Sequence, residues 1–290
     1  MRLDLHCHST CSDGSMSPEW VASAAVDAGA SLFCLTDHDT VDGYSATAER
    51  LAGRPCTVLR GVELSCKEGR RTIHLLIYGI ADGPGLDTVK ECLRGVRVAR
   101  ERRLLAIVDR LAGLGIKLDG EALLASTSDH TPGRPDVARA LKEAGVVNSM
   151  REAFDRFLRD GGPADVQIAR LSLGDGLDLG RACGGRMSLA HPHTLRSFPL
   201  VADICRRFHG AGLGGLEAFY GRYGPAERES WCRLVDEQGM VATGGSDFHG
   251  EAVPSVSRPT IDLPEERAAR LCDWLEVVPG AASLNPSDSA

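Results

Sequence analysis

Residues 2–7 read Arg-Leu-Asp-Leu-His-Cys, and His8 follows directly. Leu3 and Leu5 alternate with Asp4 and His6, the period of two that a half-buried strand requires. On such a strand His6 and His8 are two residues apart, so both imidazoles point to one face. Ser17-Pro18-Glu19 then opens a helix, with Ser17 as N-cap and Pro18 at the first helical position. Its apolar repeat runs through Trp20, Val21, Ala24 and Ala25 and stops at Gly29. Next comes SLFCLT (31–36), a continuous apolar run of the kind found in strands buried on both faces. Strand, helix, buried strand predicts an α/β fold on a mostly parallel sheet.

The alternation continues outward. A helix is predicted around 43–52, strands near 57–65 and 72–79, and a long helical stretch over 86–113. Beyond residue 186 the pattern gives a strand at 186–191, a helix at 198–209, a strand at 214–219, a helix at 225–238, a strand at 240–245 and a last helix at 264–276. The stretch between is different: short helical pieces at 119–126, 135–143 and 149–159 without a strand. These readings divide the chain into a discontinuous barrel domain (1–115 and 166–280), a helical insertion (116–165) and a disordered tail (281–290). Seven or so strands suggest a closed barrel. The alternative is an open doubly wound sheet, which is weakened because no GxGxxG or Walker-type loop follows the first strand.

Composition sets the outer bounds. The 290 residues carry 33 Lys+Arg against 40 Asp+Glu, a formal net charge of −7, which argues against a protein that coats nucleic acid with a basic stripe. The first ten residues lack the apolar core of a secretory signal, and no run reaches the roughly 18 apolar residues of a membrane span. Ten Cys spread along the chain without a CxxC pair predict reduced thiols and a cytoplasmic protein. Cys7 and Cys11 lie close enough to the candidate ligands for a thiolate ligand to be an alternative.

The histidines are the informative residues. Six of the nine, His6, His8, His38, His74, His191 and His249, fall at or just beyond predicted strand ends. Carboxylates accompany them: Asp13 after the first strand, Asp37 and Asp39 around His38, Glu63 in GVELS, and Asp247 two residues before His249. In parallel α/β folds, function collects at the carboxyl ends of strands. A nitrogen and oxygen donor set of this kind suits a catalytic Mn²⁺, Zn²⁺ or Fe²⁺ rather than a structural Cys₄ zinc. Nine candidates exceed one ion's needs and predict two or three divalent ions sharing a bridging carboxylate. Asp4, Asp37 and Asp39 are expected to orient the ligand imidazoles.

The ordered set DLHCHS, SDG, LTDHDT, GVELS, IHLL, LAHP and GSDFHG resembles the motifs of the PHP (polymerase and histidinol phosphatase) superfamily and spans residues 4–250. The resemblance implies a distorted (β/α)7 TIM-like barrel with a trinuclear metal centre. It places His6, His8, Glu63 and Asp247 on one metal, Glu63 with His74 and His191 on a second, and Asp13, His38 and His249 on a third. Asp at position 13, where the family often has His, resembles the branch of small phosphoesterases that cleave nucleotide 3′,5′-bisphosphates and short RNA 5′ ends. That branch also carries a helical insertion here.

The expected activity is hydrolysis of a phosphate monoester of a small nucleotide by a hydroxide bridging the ions. Glu63 would bridge, Asp247 would hold a metal, and His191 or His249 would relay a proton to the leaving oxygen. The alternatives are a 5′–3′ exoribonuclease on short RNA, a histidinol phosphate phosphatase, and an inactive binding module. No membrane and no obligate protein partner are expected.

Arg134 resembles the branch's contact for a non-reacting phosphate, against a surface Arg capping its own helix. Asp136 replaces a common family His beside it. Phe154 and Phe157, three apart, read as core packing or as base-stacking rings. Phe219, with Tyr220, Arg222 and Tyr223, departs from the branch's pattern and is a candidate grip on a base. Arg94, Arg97, Arg100, Arg102 and Arg103 spread around their helix and read as a solvated face.

Overall fold

β1 (Arg2–Asp4) is shorter than the strand expected over 2–7 because the chain changes partners midway. Arg2 and Leu3 pair antiparallel with β9 (Ile261–Asp262), a strand that two residues could not announce in sequence. Beyond Asp4 the chain bonds instead to the continuation of β8 (Val241–Gly245). Leu5 N–H donates to Gly244 O (3.3 Å), Asp247 N–H to His6 O (2.7 Å) and His8 N–H to Phe248 O (2.9 Å). These bonds join the last parallel strand to the first and nearly close a barrel-shaped sheet.

The computed structural model describes residues 1–280; the tail expected to be disordered at 281–290 lies outside them. After β1 come α1 (Pro18–Asp27), β2 (Leu32–Leu35), α2 (Tyr44–Leu51), β3 (Thr57–Glu68) and β4 (Arg71–Tyr78). Ser17 Oγ caps α1 by accepting from Trp20 N–H, as its sequence predicts. The sheet order is β8-β7-β6-β4-β3-β2-β1-β9, with β6 (Arg186–Leu189) and β7 (Leu213–Tyr220) between β8 and β4. β1, β2 and β3 run parallel, as do β6, β7 and β8. β4 is antiparallel to both neighbours. Gly69 at φ +58 explains the first reversal: a two-residue turn can join only antiparallel strands.

α3 (Pro84–Gly113) leads to α4 (Gly120–Ala125), α5 (Arg134–Glu143) and α6 (Met150–Ala153), which runs into a π turn at Phe154–Leu158. β5 (Leu171–Ser172) and α7 (Leu173–Ala182) then precede β6. Sequence reading missed α7 because Gly174, Gly176 and Gly180 weaken its helical pattern. Gly180 allows close packing: a Cβ there would sit 2.5 Å from Met187 Sδ. α8 (Phe198–Phe208), α9 (Pro225–Glu237) and α10 (Glu265–Leu275) alternate with β7, β8 and β9.

The chain divides into two compact units, one made of residues 1–91 and the chain from Leu171 onward, the other of Cys92–Arg170. The boundary expected after residue 115 therefore falls inside the second unit. The reason is packing: Leu104, Ile107, Val108 and Leu111 of α3 share a core with Val137, Leu141, Phe157 and Leu158. Phe157 is in that core and Phe154 packs against it, which favours packing over base stacking.

Arg94 and Arg102 are exposed, as a solvated face requires, but Arg97, Arg100 and Arg103 turn to backbone carbonyls. Arg97 donates to Thr127 O and His130 O, Arg100 to Pro132 O, and Arg103 to Val166 O. These bonds satisfy carbonyls that short helices leave unpaired. Asp136 accepts from Gly133 N–H (2.8 Å) and holds His130 (3.0 Å), so it caps α5.

Candidate metal centre

Four strands of the first unit deliver candidate ligands beyond their carboxyl ends, and two carry them within. β1 leads to His6 and His8, β2 to His38, β6 to His191, and β8 to Asp247 and His249; β3 and β4 carry Glu63 and His74 within them. Four sets of potential ligand atoms converge: His8, Asp13, His38 and His249; His6, His8 and Asp247; His6, Glu63 and His191; and His38, Glu63 and His74. All nine expected ligands belong to at least one set. The partition differs from the one the family resemblance implies, because His8 also joins the Asp13 set and His38 also meets Glu63.

Glu63 is fully buried and divides its two oxygens. Oε1 lies 2.8 Å from His74 Nδ1 and 2.9 Å from His191 Nε2. Oε2 lies 2.9 Å from His38 Nδ1, 3.2 Å from His8 Nε2 and 3.3 Å from His6 Nε2. A bridging carboxylate needs this division. Asp247 Oδ1 completes the His6–His8 set at 3.4 and 3.3 Å.

These residues fit divalent cations on a direct test. His6 Nε2, His8 Nε2, His38 Nδ1 and Glu63 Oε2 are buried and lack hydrogen-bond partners. Their separations meet an ion-pair distance, yet their geometry is not that of hydrogen bonds to one another; the atoms face common points instead. Buried polar atoms without partners are rare, and shared cation coordination satisfies all four together. The tautomers agree. Glu217 Oε1 accepts from His6 Nδ1–H (2.9 Å), which leaves the Nε2 lone pair free. Asp247 O does the same for His249 Nδ1 (2.9 Å), leaving Nε2 3.4 Å from Asp13 Oδ1.

The electrostatics are those of a dense charge cluster. Burial pushes the His8 imidazole toward neutrality, but Asp247 and Glu63 outweigh it and raise its pKa to about 10. A cation competes with that proton for the same lone pair. Burial likewise opposes ionisation of Asp13, and His38 and His249 overcome it, holding the carboxyl well below its usual range. His74 goes the other way, to about 4, because burial and the neighbouring imidazoles outweigh Glu63.

The backbone bends to make this cluster. Asp39, His191 and Asp247 have φ of +52°, +23° and +54°, the left-handed region that non-glycine residues avoid. Such strain concentrates at functional sites, where surrounding bonds enforce it. Gly245 is required for a different reason: a Cβ there would stand 2.3 Å from His6 Cβ.

Asp4 and Asp37 hold backbone N–H groups and serine hydroxyls rather than the ligand imidazoles expected of them. Asp4 accepts from His6 N–H (3.1 Å) and from Ser246 N–H and Oγ–H (2.9 and 2.5 Å). Burial lifts its pKa to about 7 against the pull of those bonds. Asp37 accepts from Ser9 N–H and Oγ–H (both 2.7 Å) and Ser12 Oγ–H (2.6 Å), which fixes the loop to Asp13. Asp39 accepts from Ser65 N–H (2.7 Å). The imidazole of His6 is oriented instead by Glu217, whose Oε2 also accepts from His191 N–H (2.6 Å). Sequence reading passed over Glu217; its signal was a carboxylate at an inward position of the apolar run GGLEAF.

Phe219 is buried, and the rings beside the cluster belong to its neighbours. Tyr220 lies 6.2 Å from His191 and 5.0 Å from His193, and Tyr223 lies 5.2 Å from His193. Tyr220 O–H donates to Asp247 Oδ2 (2.6 Å), and Arg222 reaches both groups. Arg134, in the second unit, donates to Leu158 O (2.9 Å) and Asp160 Oδ1 (2.7 Å). Cys7 is buried, with Sγ 3.7 Å from Cys34 O, and neither Cys7 nor Cys11 joins a ligand set among the described residues.

Comparison with known proteins agrees with this architecture. The PHP domain pattern matches residues 4–108. The chain is 31% identical to a 3′,5′-nucleoside bisphosphate phosphatase of Chromobacterium violaceum, over 93% of this chain and 99% of that protein. It is 32% identical to a phosphoribosyl 1,2-cyclic phosphate 1,2-diphosphodiesterase of Eggerthella lenta, over 86% and 94%. It is 30% identical to a 5′-3′ exoribonuclease of Haemophilus influenzae, over 86% and 90%. A solved C. violaceum structure, described as an amidohydrolase with bound sulfate and no metal, superposes with a TM-score of 0.81 at 30% identity, covering 92% of this chain and 96% of that one. With the barrel, the ligand sets and these relatives in agreement, the chain belongs to the PHP family, whose relatives here are phosphoric ester hydrolases.

Proposed function

We propose that this protein is a metal-dependent phosphoesterase that releases inorganic phosphate from a 3′,5′-nucleotide bisphosphate. The observation that carries the reading is Glu63, buried, with its two oxygens shared between five imidazoles. A cluster of this composition has no role in a packed core, and the relative covered over 99% of its length acts on a nucleoside bisphosphate by name. His6, His8, Asp13, His38, Glu63, His74, His191, Asp247 and His249 would hold two to three divalent ions, Mn²⁺ first among the candidates. Ions held there acidify a water and neutralise charge on the phosphate oxygens.

The chain's own residues do the rest. Glu217 fixes the His6 tautomer, and Tyr220 holds Asp247 Oδ2 so that Oδ1 faces the cluster. His191 or His249, at the cluster's rim, would pass a proton to the leaving oxygen. Arg134 would meet the non-reacting phosphate after exchanging its bond to Asp160. Ten free cysteines are in keeping with a reduced, cytoplasmic setting.

Exoribonuclease activity on short RNA is the second reading, supported by the 30% identical relative of that name. A phosphate-release assay with Mn²⁺ present, across nucleotide bisphosphates, short RNAs, cyclic phosphates and sugar phosphates, tests both. Phosphate from bisphosphates at the highest kcat/KM supports the first reading. Mononucleotides released from RNA with no phosphate from bisphosphates replaces it with the second.

A further inference from the structure

A second polar cleft lies on the first unit, formed by the first turn of α9 and the segment that runs from β8 to β9. Its volume is about 260 Å³. Arg228 and Arg258 line it together with Ser255, Ser257 and Thr260. Its inner wall is the backbone of Gly221 and Ser246, packed so closely that a Cβ on Gly221 would stand 2.6 Å from Ser246 O. None of the nine cluster residues lines the cleft.

The charges here are not balanced. Several arginines around the barrel pair with a carboxylate: Arg2 with Asp262, Arg186 with Glu276, Arg267 with Asp236. Among the described residues, Arg228 and Arg258 have no side-chain hydrogen bond or ion pair. Arg228 Nε is buried and without an acceptor, a costly arrangement for a charged donor. Asp262, the one carboxylate on the cleft wall, is held 3.0 Å from Arg2 Nε. With Asp262 engaged by Arg2 and Thr260 Oγ1 donating to Leu3 O (3.5 Å), the cleft presents two guanidinium groups and the hydroxyls of Ser255 and Ser257, the donor set that recognises a phosphate dianion.

We infer that this cleft is a phosphate-binding site separate from the metal cluster. It takes either free inorganic phosphate or the phosphate of a nucleotide chain. The site does not depend on the proposed activity, because binding there can be read without turnover.

The test is calorimetric titration of the full chain, saturated with divalent cation, with inorganic phosphate. Two saturable events are expected for the wild type. Arg228→Gln/Arg258→Gln should lose one of them, or weaken it at least tenfold, and leave the other unchanged. Arg258→Gln alone, at an exposed position, covers the case in which the double variant misfolds, and should weaken that event severalfold. Equal titrations for wild type and Arg258→Gln overturn the proposal, whether the wild type shows one event or two. Displacement of the second event by a non-hydrolysable oligonucleotide at tenfold lower concentration than by adenosine monophosphate assigns the site to a nucleotide chain. Equal displacement assigns it to free phosphate.

Discussion

Glu217 and His6 form a fully buried pair, with Oε1 accepting the Nδ1 proton across 2.9 Å. The bond fixes which imidazole nitrogen carries the proton, and so which one faces Glu63 and Asp247. Partners of this kind typically contribute a 10–100-fold effect on metal affinity or activity. Glu217→Ala should lower Mn²⁺ affinity by about that factor, while Glu217→Gln, which retains an acceptor oxygen, should lose less. Metal content after gel filtration and kcat at saturating Mn²⁺ measure the two effects. Equal metal retention by wild type and Glu217→Ala would show that the pair does not tune the site.

Gly245 meets His6 at a distance no side chain tolerates. Gly245→Ala would force β8 from the first strand and disturb the barrel seam. Overpacking of this kind costs about 1–3 kcal/mol. A fall in Tm of several degrees, with reduced metal content, is expected in thermal unfolding; an unchanged Tm would mean that the seam opens freely.

Arg134 should discriminate between substrates. Arg134→Ala removes a guanidinium without touching any of the nine cluster residues. KM for a nucleotide bisphosphate should rise at least tenfold, while kcat/KM for a simple aryl phosphate changes little. Equal losses on both substrates would assign Arg134 to the fold of the second unit rather than to phosphate binding.

Asp165 links pH to the stability of the second unit. Burial disfavours its ionised form, but Gly161 N–H (3.0 Å), Gln167 Nε2 (2.7 Å) and Arg103 Nη2 (3.4 Å) outweigh burial and lower its pKa. A carboxyl depressed on folding stabilises above its unfolded pKa, about 3.9, and loses that contribution as pH falls through the folded value. The Tm difference between wild type and Asp165→Asn should therefore be constant from pH 7 to about pH 5 and shrink below pH 4. A gap that widens on acidification would contradict the sign.

The local code of this chain was legible because it is local. Period-two alternation in RLDLHC, the cap at Ser17-Pro18 and the i, i+2 pairs His6/His8 and Asp247/His249 are properties of neighbouring residues, and they carried the α/β class and four of the nine cluster residues; Asp13, His38, Glu63, His74 and His191 were read from strand ends and from the family resemblance. What required the tertiary structure depends on pairings distant in sequence. The antiparallel insertion of β4, the two-residue β9 and the closure of residues 5–8 onto 244–248 have no periodicity of their own. The division of Glu63 between two sets of imidazoles depends on where four other strands place their histidines. Asp4 and Asp37 looked like partners of imidazoles because they stand near histidines in sequence, yet the backbone N–H groups and serine hydroxyls of Ser246, Ser9 and Ser12, brought there by the fold, take up their oxygens. Glu217, 211 residues from His6, does the orienting because the barrel brings β7 beside the first strand's carboxyl end.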